Sequence, residues 1–231
     1  MRAKIDPLHP VRVKRKAVFG LFREAGPLMK TYLRIKLRIC PILQTEVYVP
    51  DKGTIVDIGC GNGLFAAILK LGAPGRSITG IDLDARKIVE ARKSLGNLPH
   101  LDFRLGDVAA VEYPPADVFT IIDVLYLIPF EAQEKILRMC AAALPPGGVL
   151  ILKEMDKKPR RKYVWNMIQE TLAVKLIGFT LGSRFYFRRK ADFVALLTGL
   201  GFSVDVVPLH KGYGYPHILY VAKKSDLVVN A

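Results

Sequence analysis

The chain has 231 residues, 51% of them hydrophobic, and a formal net charge of +14. That length suits one domain with a large core. No run of eighteen uncharged apolar residues occurs, which excludes a membrane-spanning helix. Residues 1–10 carry early charges and two prolines and lack an apolar stretch, so they do not read as a secretory signal. Three cysteines, Cys40, Cys60 and Cys140, are odd in number and lack metal-ligand spacing. They fit a reducing cytoplasm, where the protein is expected. The charge is uneven. Residues 1–40 hold 11 basic and 2 acidic side chains and residues 151–190 hold 11 and 3, whereas 41–150 hold 10 and 13. Two basic segments therefore flank a mildly acidic middle, which points to an anionic partner: a membrane surface, a nucleic acid or an acidic substrate.

In chain order, residues 1–45 form a basic amphipathic extension. A cationic cluster, Arg12, Lys14, Arg15 and Lys16, precedes apolar residues at helical spacing (Val18, Leu21, Phe22, Ala25, Met29, Tyr32, Leu33). Gly26-Pro27 divides this into two helices. Residues 33–39 (LRIKLRI) alternate as a strand would, but an isolated strand has no partner here, so a helix is expected. Either form has one apolar and one cationic face, like a membrane-surface element. The competing reading is a helix packed on the core with solvated lysines and arginines. Residues 41–53 read as a connector.

Residues 54–64 (TIVDIGCGNGL) organise the rest. An apolar strand containing one carboxylate, Asp57, runs into Gly59, Gly61 and Gly63, and residues 64–71 then suit a helix. Glycine lets backbone approach a ligand where a Cβ would clash, and N–H groups at the helix start suit a polar or anionic group. Cys60 reads as a small residue in a tight loop rather than a nucleophile. Residues 77–82 (SITGID) form a second strand ending in Asp82, about twenty residues after the turn, where an acid that grips a ribose belongs. An adenosine-containing ligand follows, either a dinucleotide or S-adenosylmethionine (SAM).

A helix is expected over 84–95, with Asp84 as its N-cap. Strands follow at 101–105 (LDFRL), leading into Gly106-Asp107-Val108, and at 117–123 (DVFTIID), apolar enough to be covered on both faces. A helix over 130–144 stops at Pro145-Pro146-Gly147-Gly148 before a fifth strand, 149–153. Residues 154–190 break the rhythm, opening basic, continuing apolar and closing with alternating cations and aromatics. A helix over 191–199 and strands at 202–207 and 218–222 complete the chain. Seven strands alternating with helices make a doubly wound α/β sheet covered on both faces.

The motif set Val56-Asp57-Ile58-Gly59-Cys60-Gly61-Asn62-Gly63, Gly80-Ile81-Asp82-Leu83-Asp84, Gly106-Asp107-Val108, residues 119–129 (FTIIDVLYLIP) and residues 144–152 (LPPGGVLIL) resembles the class I, seven-stranded SAM-dependent methyltransferases. The dinucleotide reading fits less well. An acid precedes the glycines, their spacing is Gly-x-Gly-x-Gly, a Pro-Gly-Gly turn precedes the fifth strand, and the chain ends in a hairpin-like pair. The resemblance implies a mostly parallel Rossmann-like sheet with an antiparallel last strand over 46–223, a helical lid insert at 154–190 and a tail at 224–231. It implies SAM as cofactor and S-adenosylhomocysteine (SAH) as product. Asp57 would hold the methionine amino group. Gly59, Cys60 and Gly61 would bring backbone to the ligand. Asp82 would accept the ribose hydroxyls and Leu83 would lie on the adenine. Asp107 and the Val108 backbone would read the adenine edge, and Asp123 would border the methyl group.

The acceptor is less constrained. No Asn/Asp-Pro-Pro-Tyr/Phe follows the fourth strand, which disfavours adenine or glutamine amino methylation, and no Pro-Cys stands there for cytosine chemistry. Residues 124–129 (VLYLIP) resemble small-molecule and lipid methyltransferases. The expected acceptor is a hydrophobic or amphipathic, lipid-like small molecule. The expected partner is an anionic membrane surface at the inner face, contacted through 11–40 and 154–190. RNA or protein methylation ranks behind this, with cations on phosphates and aromatics at 184–188 on bases, as does a SAM-binding protein without transfer activity. Candidate catalytic groups are Glu154, Tyr126 and His210, with Asp156, His217 and Tyr213 as further candidates.

Overall fold

The computed structural model describes residues 11–155, 185–214 and 216–225. Seven strands form one sheet: β1 Thr54–Ile58, β2 Ser77–Asp82, β3 Leu101–Leu105, β4 Val118–Ile122, β5 Val149–Met155, β6 Phe202–Pro208 and β7 His217–Lys224. Their order is β3-β2-β1-β4-β5-β7-β6. The first five run parallel and β7 pairs antiparallel with both β5 and β6. The central strands β1, β4 and β5 are buried along nearly their whole length because both sheet faces are covered there, whereas edge strand β3 exposes Asp102 and Arg104. One face packs on α4 (Leu64–Gly72) and α5 (Ala85–Leu95), the other on α6 (Phe130–Ala143) and α7 (Lys190–Gly199). Asp84 caps α5, accepting from the Arg86 N–H at 3.0 Å. The seven-stranded, doubly wound sheet expected from the sequence is the one observed.

The N-terminal segment is helical. Helix α1 spans Arg15–Leu21 and α2 spans Pro27–Ile39, with Pro27 opening α2. The alternating run at 33–39 resolves as helix because Met29, Leu33 and Leu37 are buried while Ile35 is 51% exposed. A strand would have put Ile35 on the same face as Leu33 and Leu37. Val18, Phe22, Met29 and Leu33 join one core with Phe65, Ile68 and Leu69 of α4. The described residues of the N-terminal segment are thus part of the main core.

Residues 41–53 are more ordered than a connector. Helix α3 (Ile42–Thr45) and a 3-10 turn (Glu46–Tyr48) place Glu46 beside Arg76, both wholly buried. Arg76 donates to Glu46 at 2.7 Å and to the carbonyls of Pro50, Leu69 and Val49. This clamp ties α3 and α4 together where β1 and β2 begin, at the end of the sheet away from the glycine turn. A buried guanidinium persists there because its donors meet fixed acceptors.

Among the described residues no helix is long and apolar enough to cross a membrane. The lid expected at 154–190 falls mostly on residues 156–184, outside the described residues, as does the tail from 226 onward.

Candidate active site

Parallel strands leave their C-terminal ends at one edge, and the first βα turn lies there. After β1 the chain passes through Gly61 at φ +54°, and a Cβ there would meet no atom within 4 Å. That open space beside backbone suits a ligand. Gly59 is constrained instead by Val124, whose side chain would lie 2.6 Å from an added Cβ. The turn is fixed from β2: the N–H groups of Gly59 and Cys60 donate to the Ile81 carbonyl, and Gly61 N–H donates to Asp82 Oδ2 at 2.8 Å. Asp82 Oδ1 accepts from the Asp84 N–H at 2.9 Å. Each oxygen keeps a further lone pair for a hydroxyl donor.

Asp57 is 2% exposed. Its Oδ1 accepts from Thr120 Oγ1 at 2.6 Å, while its buried Oδ2 meets no hydrogen-bond donor among the described residues. Burial, helped by the Asp82 charge and opposed by the Thr120 hydrogen bond, raises its pKa to about 7. A desolvated carboxylate with an idle oxygen asks for a cationic donor. The ammonium of a bound amino acid moiety supplies one, so SAM fits here.

A pKa raised from 3.8 to about 7 in the fold gives a contribution present below 3.8 and lost as pH rises through 7. The buried charge then costs at most about 4 kcal/mol at pH 8. Asp57→Asn should therefore raise the melting temperature of the ligand-free protein at pH 8 by several degrees, a net gain of about 1–2 kcal/mol after the amide's own desolvation. The gain should vanish towards pH 4, as thermal melts across that range would show.

Leu83, expected against adenine, is 53% exposed directly after Asp82. Asp107 is exposed, with Oδ1 accepting from the Ala109 N–H, and Val108 is buried with its carbonyl taken by the Tyr113 hydroxyl. Cys60 packs against Gly80, where an added Cβ would meet its sulfur at 2.8 Å. Burial pushes its thiol well up, so it stays protonated.

The ends of β4 and β5 hold a second polar group. Asp123 stands at φ +58°, a backbone region that aspartate tolerates better than most side chains. Its N–H donates to the Lys153 carbonyl. Lys153 Nζ lies 2.5 Å from Oδ1 and Lys36 Nζ 2.7 Å from Oδ2, and the Cys40 thiol donates to Oδ2 at 3.4 Å. Burial works to raise the Asp123 pKa, but the two ammoniums hold it well below the usual carboxylate range. Asp123, which the resemblance sets beside the methyl group, is the counter-ion of two lysines.

Glu154, a candidate base, braces the backbone after β4. Its Oε1 accepts from the N–H groups of Val124 at 3.2 Å and Leu125 at 2.8 Å, fixing the chain after β4. Burial, reinforced by the Asp123 charge, raises its pKa to about 8, so it is mostly a neutral acid at pH 7. His210 is exposed on the β6–β7 loop. His217 is buried, with Nε2 3.0 Å from the Ile39 carbonyl, and burial first and Lys153 second push it down to about 3. Tyr213 lies edge-on to it, the ring centres 5.9 Å apart. Tyr126 is buried and stacked on Phe187 at 5.2 Å, and its carbonyl accepts from the Tyr186 N–H. Gln133 and Arg188 strap this returning segment to α6. Asp156 lies outside the described residues.

Lys36 and Lys153 escaped the sequence reading. A lysine inside an otherwise apolar, doubly covered strand was the available signal for Lys153; Lys36 looked like one more solvated cation. Helix α2 brings Lys36 over the sheet edge, and Met29 of the same helix accepts from Asn62 Nδ2 in the glycine turn.

Residues 55–148 match the family described as "Methyltransferase domain". A trans-aconitate 2-methyltransferase of Paracidovorax citrulli is 31% identical over 168 residues, covering 70% of this chain and 62% of that protein. A ubiquinone biosynthesis O-methyltransferase of Xanthomonas campestris pv. campestris is 34% identical over 110 residues, covering 46% and 44%. The chain thus spans less than two thirds of the length of these relatives. In fold it is similar to the magnesium protoporphyrin IX methyltransferase of Synechocystis PCC 6803, crystallised with SAH, at a TM-score of 0.64 and 20% identity over 90% of this chain and 94% of that one. With its glycine turn, its acids at the ends of β1 and β2 and its strand order, the chain has the fold of the class I SAM-dependent methyltransferases, and residues 55–148 form its methyltransferase domain.

Proposed function

We propose that the chain transfers a methyl group from SAM to a small hydrophobic or amphipathic molecule held at the ends of β4 and β5. The observation that carries this is the idle, buried Oδ2 of Asp57 beside the glycine turn. Bound SAM would supply a methyl group on a positively charged sulfur. Asp57 would hold its amino group and Asp82 its ribose, while Leu83 and Val108 would flank the adenine. Val124, Leu125 and Tyr126 would exclude water and place the acceptor, which is where much of the rate can arise. The relatives' names, which refer to trans-aconitate and to ubiquinone biosynthesis, support a small-molecule acceptor over RNA or protein.

Calorimetry with SAH tests the donor site. Ammonium binding needs ionised Asp57, so affinity should rise about tenfold from pH 6 to pH 8, the change in the ionised fraction of a group titrating near 7. Asp57→Asn should flatten that profile, and a flat profile in the unmodified protein would contradict the assignment.

We also propose that α2 rests on an anionic membrane surface at the inner face. Leu28 is 62% and Ile35 51% exposed, beside exposed Arg34 and Arg38. Each cation near such a surface contributes about 1 kcal/mol. Co-sedimentation with vesicles containing phosphatidylserine should fall at least tenfold in a Leu28→Glu/Ile35→Glu double variant, since losing even one buried apolar side chain costs about 1.5 kcal/mol or more. Equal sedimentation would refute it.

A further inference from the structure

We propose that the acceptor is a small organic acid whose carboxylate is bound by Lys36, beside the Asp123–Lys153 pair. This rests on the methyl-transfer reading above. Two ammonium groups share one carboxylate: Lys153 reaches Asp123 Oδ1 at 2.5 Å and Lys36 reaches Oδ2 at 2.7 Å. The neighbouring titratable groups do not balance the count. The Cys40 thiol and the Tyr32 hydroxyl are both pushed up by burial and stay neutral. Glu154, near 8, is mostly protonated at pH 7, and His217, near 3, is uncharged. Burial works against the Lys36 charge, but Asp123 holds its ammonium well above the ordinary range. Among the described residues the cluster therefore carries one positive charge in excess.

A buried charge without a counter-ion is costly, so a site built this way is completed by an anion. Lys36 is the cation placed to take it. The Lys153 side chain is fully buried and spends its donors on Asp123 and on Cys40 Sγ at 3.2 Å. The Lys36 side chain is 24% exposed and has two N–H donors beyond the one aimed at Asp123. Position separates this anion from the donor. The donor's polar contacts are Asp57 and Asp82 at the ends of β1 and β2, whereas the cation cluster sits over β4, β5 and β7, on the other side of the switch point. Tyr126, close enough to Lys36 to act on its charge, packs with Met155 and Phe187 in an apolar cluster that suits the rest of the acid.

The test uses the full-length protein saturated with SAH and a set of small acids, each paired with its primary amide: benzoate with benzamide, cinnamate with cinnamamide, hexanoate with hexanamide. Affinities are measured by calorimetry. At least one acid should bind tenfold or more tightly than its amide. Lys36→Gln should abolish that preference, keep SAH affinity within twofold, and leave the melting temperature unchanged or raised, because it removes surplus charge. The proposal is overturned if no acid outbinds its amide or if the preference survives in Lys36→Gln. It is also overturned if that variant weakens SAH tenfold, which would give Lys36 to the donor's own carboxylate. Failure of the unmodified protein to bind SAH would instead remove the methyl-transfer reading on which this rests.

Discussion

Asp82→Ala is expected to weaken SAH binding by roughly a hundredfold or more, the loss of two charge-assisted hydrogen bonds at about 1.5–3 kcal/mol each. The effect has two physical sources. The carboxylate is the acceptor assigned to the ribose hydroxyls, and it also accepts the Gly61 and Asp84 N–H groups that shape the ligand-facing turn. The two can be separated with methylthioadenosine, which keeps the ribose and adenine but lacks the amino acid. Its affinity should fall about as far in Asp82→Ala as that of SAH, while Asp57→Asn should leave it nearly unchanged. Affinity for SAH within threefold of the unmodified protein would mean that Asp82 does not contact the ligand.

Asp123→Asn should be the most destabilising conservative change in the site. Asparagine tolerates the left-handed backbone at φ +58°, so the substitution removes the charge with little strain. It leaves Lys36 and Lys153 facing each other without a counter-ion. Breaking a buried pair in this way costs about 3–5 kcal/mol, which for a domain of this size lowers the melting temperature by roughly 6–20 °C. Asp123 titrates well below its unfolded value, so its contribution is present above about pH 4 and is lost as pH falls below that. The gap between the two proteins should therefore hold from pH 8 to pH 5 and close in acid. Adding Lys153→Met to Asp123→Asn should recover half or more of the loss, since the stranded charge goes with it. Thermal melts of the single and double variants check both points, and a single-variant loss under 1 kcal/mol would contradict the ion-pair account.

The parallel half of the sheet was legible because its signals are local. Residues 54–58 and 77–82 are short apolar runs ended by an acid and a turn, and Asp84 caps the following helix as its position indicated. The run at 33–39 needed tertiary information. Leu33 and Leu37 satisfy both a period of two and a spacing of four, and only the exposed Ile35 separates them. Residues 41–53 looked like a connector because Glu46 and Arg76, thirty residues apart, become a buried pair only in the fold. The acceptor side was least legible for the same reason. Lys36 and Asp123 are separated by 87 residues and Cys40 and Lys153 by 113, so no spacing in the sequence announces the cluster. Glu154 was found as a polar residue at a strand end, but its use depends on two backbone N–H groups that only the chain path after β4 delivers to it.

Methyl transfer from SAM to a small molecule can be followed by the label it leaves. The full-length protein incubated with methyl-labelled SAM and an extract of the cells that make it, then separated into small-molecule, RNA and protein fractions, tests it most directly. Label should enter the small-molecule fraction and be absent when Asp82→Ala replaces the unmodified protein. Label confined to RNA or protein, or no label above that variant's background, would contradict the account.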